Sequence, residues 1–350
     1  MKIVNTSQSG TVVEINGRYV RLSPDLHHFA EAYLASDGEP ACYRALLARD
    51  GTEPDWHEAD RFATQIWPNI IAELDTPKRS VLHLKITLLG ERAVCALSRI
   101  LASLFSVPAA TVVLLALLAC GFAYRPDGNA TLGLWLTVPL VLLSAIFHEL
   151  GHAAALAKGG GKPGRIGFGF YYILPSFFAD VTAAWSLDRK RRLLVDTGGI
   201  WLQSIFLIAA NGVLNAMLGI DMTIANVLIV TLMLKTLNPV FKFDGYWMLS
   251  DLFDVPNLHQ RVFDRVKARE FGGADGKLVA LYATLVVAFY GYVMAVLATA
   301  SRRLVNELQT IGPNADLAHV SAKTGLLMLT LVFFCWIGIS SLQKARALWR

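Results

Sequence analysis

Leu140-Val-Leu-Leu-Ser-Ala-Ile-Phe-His-Glu-Leu-Gly-His-Ala-Ala-Ala-Leu156 is the stretch on which the reading of this chain turns. An apolar run long enough to cross a bilayer leads into His148-Glu149-Leu150-Gly151-His152, an H-E-x-x-H pattern. In a helix, side chains four apart share a face, so both imidazoles can reach one ion and backbone geometry alone preorganises two ligands. Glu149 stands beside the first ligand, where a carboxylate can serve as general base on a metal-activated water. An ionisable residue inside a membrane helix costs on the order of 3 kcal/mol, and here three of them cluster. The competing interpretation is a pair of histidines that only hydrogen-bond helix to helix.

The surrounding composition fits a membrane setting. Of 350 residues, 54% are hydrophobic and 17% charged, too apolar for one soluble domain of this length. The chain therefore reads as a polytopic α-helical membrane protein. Met1 to Gly10 holds no apolar core of the signal-peptide kind, so the N-terminus is expected to stay on the side of synthesis. The net charge of +5 needs no nucleic acid, because the basic residues gather beside the apolar spans as orientation signals do. Cys42, Cys95, Cys120 and Cys335 are far apart and form no C-x-x-C pair, which points away from a disulfide framework and from a cysteine zinc site.

Six apolar spans can be marked, at 107 to 124, 132 to 157, 193 to 218, 222 to 240, 278 to 300 and 325 to 342. An even number puts both termini on one side. With that side cytoplasmic, the inner loops 158 to 192, 241 to 277 and 343 onward carry sixteen Lys and Arg, against Arg125, Arg302, Arg303 and Lys323 outside. The positive-inside rule supports this orientation, a multi-pass cell-membrane protein with His148 and His152 near the cytoplasmic end of the second span. The fourth span runs out through Asn238-Pro239-Val-Phe-Lys-Phe-Asp244-Gly245-Tyr246 at the same cytoplasmic end, which sets Asp244 at about the depth of the histidines. Pro239 removes a helix hydrogen bond and Gly245 frees the chain, so the helix is expected to break there and line a cavity. Catalytic zinc usually takes three protein ligands and leaves one position for water.

These two motifs together, over residues 132 to about 255, resemble the site-2 protease family of intramembrane zinc metalloproteases, which pairs H-E-x-x-H on one core helix with an N-P-x-x-D-G type motif on another. Four residues stand between Pro239 and Asp244, a longer spacing than the shortest family form. The resemblance implies a site-2 protease-like core, Zn2+ held by His148, His152 and Asp244, Glu149 as general base, and Asn238 holding or polarising the scissile carbonyl. More narrowly, Leu174-Pro-Ser-Phe-Phe-Ala-Asp180-Val-Thr182, Trp185, Arg189-Lys-Arg-Arg192, Asp244-Gly-Tyr-Trp-Met-Leu249 and Pro256-Asn-Leu258 are similar to the bacterial branch of peptide zinc metalloproteases found with ribosomally made modified peptides. No segment has the length of the PDZ insert of the branch that cuts anti-sigma factors.

Between the spans, Gly159-Gly-Gly161 and Gly164-Arg-Ile-Gly-Phe-Gly-Phe-Tyr-Tyr-Ile173 alternate glycine with aromatic residues, which suits strands or a re-entrant hairpin. Such an element either offers an edge to an extended substrate or only packs on the core. Asp180 and Thr182 either orient the site from behind or are simply solvated. His27, His28, His57, His83, His259 and His319 have no ligand spacing with any partner. Arg261, Arg265, Lys267 and Arg269 read as a topology signal or lipid contact.

Ahead of the membrane domain, 107 to 350, two further segments are expected. Residues 77 to 106 carry Lys78, Arg79, Lys85, Arg92 and Arg99 among leucines and isoleucines, a basic amphipathic connector expected as a helix on the bilayer surface, a pattern that a connecting soluble helix would share. Residues 1 to 76 read as a small cytosolic α+β domain. Thr11 to Ile15 and Arg18 to Leu22 flank Asn16-Gly17, a strong hairpin signal, and helices are expected over 25 to 35, 40 to 49 and 57 to 74, with Pro68 kinking or splitting the last. This order resembles the winged-helix peptide-recognition family that includes the pyrroloquinoline-quinone biosynthesis chaperone. The resemblance implies a leader-bearing precursor peptide bound by residues 1 to 76 as an added strand; a plain cytosolic cap or dimerisation domain is the alternative. The expected function is hydrolysis of a peptide bond in a precursor peptide or membrane-protein substrate. The other class is a non-proteolytic zinc-binding membrane protein, a peptide-transport accessory or immunity factor. A structural zinc site is normally closed by a fourth protein ligand, and no candidate lies at the right depth.

Overall fold

The computed structural model describes residues 2–7, 10–15, 18–49, 54–75, 82–123, 127–171, 174–255, 257–270, 272 and 276–310. The chain divides into two compact units, Met1–Asn257 and Leu258–Arg350. In the first, β1 (Lys2–Ser7), β2 (Gly10–Ile15) and β3 (Arg18–Leu22) form an antiparallel sheet with β2 in the centre. Ile15 pairs with Arg18, the register a two-residue connection imposes; Asn16 and Gly17 themselves lie outside the described residues. β1 adds a strand that the sequence reading lacked, since Ile3-Val4 is too short an apolar run to announce one. Helices α1 (His27–Ala35), α2 (Pro40–Ala48), α3 (Trp56–Arg61) and α4 (Trp67–Asp75) follow. Pro68 does not split the last segment: it falls in the first turn of α4, directly after a wider π turn at Phe62–Ile66, where its missing N–H breaks no bond within α4. Val13, Phe29, Tyr43, Leu47, Phe62 and Trp67 form the core of this region. Burial of each such side chain contributes about 1.5–3 kcal/mol.

The connector differs from the expected continuous helix. Its first half is a strand, β4 (Leu82–Leu89), and only its second half is helical, α5 (Glu91–Leu101). The reason is periodicity: Leu82, Leu84, Ile86 and Leu88 alternate with His83, Lys85 and Thr87, a repeat of two that a helix cannot segregate. β4 pairs antiparallel with β5 (Ile166–Tyr171), which pairs with β6 (Leu174–Ala179), so the glycine and aromatic stretch is the hairpin expected of it. The strand order β4-β5-β6 leaves β6 at an edge.

The helices of the membrane part are α6 (Val107–Ala123), α7 (Ala130–Lys158), α8 (Arg189–Ala210, continued by π turns over Asn211–Met217), α9 (Thr223–Thr236) and α10 (Asp244–Leu252). The second unit contains α11 (Leu258–Ala268) and α12 (Gly276–Thr310), with the His259 ring against Tyr282. Among the described residues, three helices are long and apolar enough to cross a membrane: Ala130–Lys158, Arg189–Met217 and Gly276–Arg303. They correspond to the second, third and fifth expected spans. The first passes the same test only together with the preceding helix, across a bend of 78° between Glu91–Leu104 and Val107–Val113. The fourth is a helix of 14 residues, about 21 Å long against about 30 Å of hydrocarbon. Pro239 helps explain where the helix stops, because the residue directly ahead of a proline, here Asn238, is disfavoured in helical conformation. The sixth, 325 to 342, lies outside the described residues.

Candidate metal centre

α7 and α8 cross at glycine. A Cβ on Gly151 would collide with the carbonyl oxygen of Gly198, and one on Gly198 would fall 2.6 Å from the carbonyl oxygen of Gly151 and 2.8 Å from Cβ of Ala155. Small residues let helix backbones approach in a membrane, where no hydrophobic force drives them together. The approach brings α8 within hydrogen-bond reach of both histidines. His152 Nδ1 lies 2.8 Å from the carbonyl oxygen of Val195, and His148 Nδ1 lies 3.0 Å from Oε1 of Gln203. Gln203 is buried and in turn donates from Nε2 to Ser144 Oγ at 3.3 Å.

Asp244 arrives from the other side. α9 stops at Thr236, and residues 238 to 243 turn back before α10 begins with Asp244. Gly245 packs directly on the backbone of Leu237, where any Cβ would strike that carbonyl. The turn sets Asp244 in the first turn of α10, a position the helix dipole favours for a carboxylate. His148 Nε2 is then 2.9 Å from Oδ2 of Asp244, His152 Nε2 is 3.5 Å from Oδ1, and the two Nε2 atoms are 3.1 Å apart.

The chemistry of this donor set fits a cation. A carbonyl oxygen can only accept, so His152 must carry its proton on Nδ1, and a neutral ring then turns an Nε2 lone pair inward. The Gln203 contact favours the same tautomer in His148. Two imidazole lone pairs and a carboxylate thus converge, and Asp244 Oδ2 is buried without a hydrogen-bond partner. Such an arrangement is repulsive unless a positive charge lies among the three. Gly199 of α8 forms the floor: a Cβ there would run into His152 Nε2 and lie 2.7 Å and 2.8 Å from Cε1 and Nε2 of His148. His148, His152 and Asp244 could therefore hold a metal ion, their ligand atoms lying within 4.8 Å of one another. Among the described residues no fourth His, Cys, Asp or Glu joins them.

Glu149 is half-buried on the same turn, against the backbone amide of Ala179 at the end of β6. Asn238 stands in the turn between α9 and α10. Its Oδ1 accepts from the backbone N–H of Val240 at 2.8 Å and shapes the turn after α9. Asp180 and Thr182 form an exposed local turn, with Thr182 Oγ1 donating to Asp180 Oδ1 at 2.7 Å, which is the solvated alternative for both. His27 is likewise occupied elsewhere, at 2.9 Å from Thr11 Oγ1. Val195, Gly199 and Gln203 are the site residues that sequence reasoning missed. The last had a signal, an amide inside an apolar span, four positions beyond the glycine. No family model, curated protein or solved structure matches the chain.

Proposed function

We propose that this chain is a membrane-embedded zinc metalloprotease with a site-2 protease-like core of six spans and both termini in the cytoplasm. The observation that carries the reading is the convergence of His148, His152 and Asp244 on one point, with Glu149 beside them and Gly199 leaving the space open. Zinc held there supplies Lewis acidity toward the oxygens of water and a peptide carbonyl. Val195 and Gln203 hold the imidazoles in the ligating tautomer, an outer contact that raises ligand basicity. Glu149 takes a proton from the attacking water and passes it to the leaving amine. The amide NH2 of Asn238 is the donor left for the scissile carbonyl once its oxygen is engaged by Val240.

A peptide bond in a helix is shielded by its own hydrogen bonds, so the substrate has to be extended. The edge strand β6 ends beside Glu149 and serves that purpose by pairing with a substrate strand. The substrate is a membrane-associated or precursor peptide, and residues 1 to 76 bind its leader. The test is Glu149→Gln in purified protein, assayed for zinc content and for cleavage of a co-expressed precursor peptide. Retained zinc with lost cleavage is the expected result. Cleavage at the wild-type rate would remove Glu149 from the mechanism, and stoichiometric zinc in a wild-type protein that cuts nothing would favour the non-proteolytic zinc-binding class.

A further inference from the structure

Arg21 lies on β3 of the N-terminal sheet, yet two of its contacts belong to the membrane part of the same unit. Its guanidinium is 3.7 Å from the carboxylate of Asp254, both side chains being only 12% and 13% exposed, and 5.5 Å from the centre of the Trp185 ring. Asp254 closes the C-terminal end of α10. Trp185 stands in the short 3-10 helix Thr182–Ser186 and meets Trp247 of α10 edge to face, with ring centroids 6.1 Å apart. One contact of this N-terminal side chain thus ends just past the helix that begins with Asp244, and the other on a ring that packs against that helix.

The same carboxylate oxygen, Oδ1 of Asp254, is also held by a second arginine. Arg192, in the first turn of α8 and 2% exposed, donates from Nε to Asp251 at 2.8 Å, from Nη2 to Asp254 at 3.1 Å and from Nη1 to the carbonyl of Leu187 at 3.1 Å. Asp251 also lies against Asp196 of α8. Burial and the neighbouring Arg192 charge hold Arg21 below the ordinary arginine value, as expected of a desolvated guanidinium. Removing one member of such a cluster strands its partners away from water. Asp254 has φ +53°, the left-handed position after a helix end that glycine or asparagine adopts more easily. A carboxylate kept at that position aims back at both arginines.

We propose that Arg192 is a positioning residue for Asp244, and that Arg21 makes the metal centre depend on the docked N-terminal domain. The lever is α10, nine residues and about 13 Å of rigid helix, with the ligand at one end and the two-arginine clamp at the other. α8 carries the walls of the site at Val195, Gly199 and Gln203, so a clamp between α8 and α10 sets the third ligand against the first two. This rests on the metal-centre reading.

The test is cobalt(II) binding to full-length protein in detergent, with chelator competition for affinity and visible absorption for coordination geometry. Arg21→Gln is expected to bind cobalt several-fold more weakly with an altered spectrum, and Arg21→Lys to recover part of the loss through its charge. Asp254→Gly keeps the left-handed backbone while deleting the carboxylate, so it should weaken cobalt binding at least as much. Adding Arg21→Gln to it should then cost less than Arg21→Gln costs alone, because the Arg21–Asp254 contact is already gone and only the Trp185 contact is left to lose. Arg192→Gln is expected to be the weakest binder. Wild-type affinity and spectrum in both Arg21→Gln and Asp254→Gly would overturn the proposal. A wild-type protein that binds no cobalt would instead overturn the metal-centre reading, and the proposal with it.

Discussion

At the scale of the residue, Gly199 separates metal binding from folding. It lies on α8 against the two Nε2 atoms, and a methyl group there would occupy the space that an ion held by the three side chains would need. The Gly199 substitution removes no ligand and no hydrogen bond, and alanine is a better helix former than glycine. Gly199→Ala is therefore expected to insert and purify normally, with unchanged helix content by circular dichroism, while losing zinc by metal analysis and cleavage with it. Full zinc occupancy in this variant would mean that the ion sits elsewhere. Glu149→Gln is the complementary change, expected under the proposed function to keep the metal and lose the proton transfer.

Between elements, the crossing of α7 and α8 is what turns two histidines on one helix into a site. Gly198 has the Gly151 carbonyl and the Ala155 methyl against it, so Gly198→Val must push the helices apart. Overpacking of this kind costs about 1–3 kcal/mol. It also draws the Val195 carbonyl away from His152, so Gly198→Val is expected to lower the Tm in detergent and the zinc content together. A lowered Tm with undisturbed zinc would show that the α7 histidines hold their orientation without α8. The contrast with Gly199→Ala, one residue on, follows from geometry: one glycine faces a backbone and the other faces the ligand atoms.

On the scale of the whole molecule, the N-terminal sheet does more than adjoin the membrane part, because Arg21 ties β3 to Asp254 and Trp185. β3 is also an open edge of its sheet, the place where a leader peptide would add as a strand. A tethered leader raises the local concentration of its substrate at the site to roughly millimolar for a short linker. Removing residues 1 to 76 is then expected to have two separable effects in a cleavage assay. Leaderless peptide should be cut as slowly as by Arg21→Gln, and the leader-bearing precursor should suffer a further loss. Equal losses on both substrates would mean that the domain supports the site and does not choose the substrate.

The sequence by itself determined the parts of this protein that are written in local spacing. The i and i+4 histidines on an apolar helix, Glu149 between them, the breaking of α9 ahead of Pro239, the Asn16-Gly17 register and the β5-β6 hairpin all follow from periodicity and backbone restriction over a few residues. The alternation of Leu82 to Leu88 is equally legible, although the basic residues from Lys78 to Arg99 give the whole segment the composition of a surface helix and mask the change of period within it. The tertiary structure alone decided that Gly199 is the floor of the site, that Gln203 and Val195 set the imidazole tautomers, and that Arg21 reaches Asp254. Hydrophobic period says which face of a helix is buried but not which face it meets. Contacts between residues far apart in the chain depend on how closely two backbones can approach, and here Gly151, Gly198 and Gly245 allow that approach because they have no side chain to prevent it.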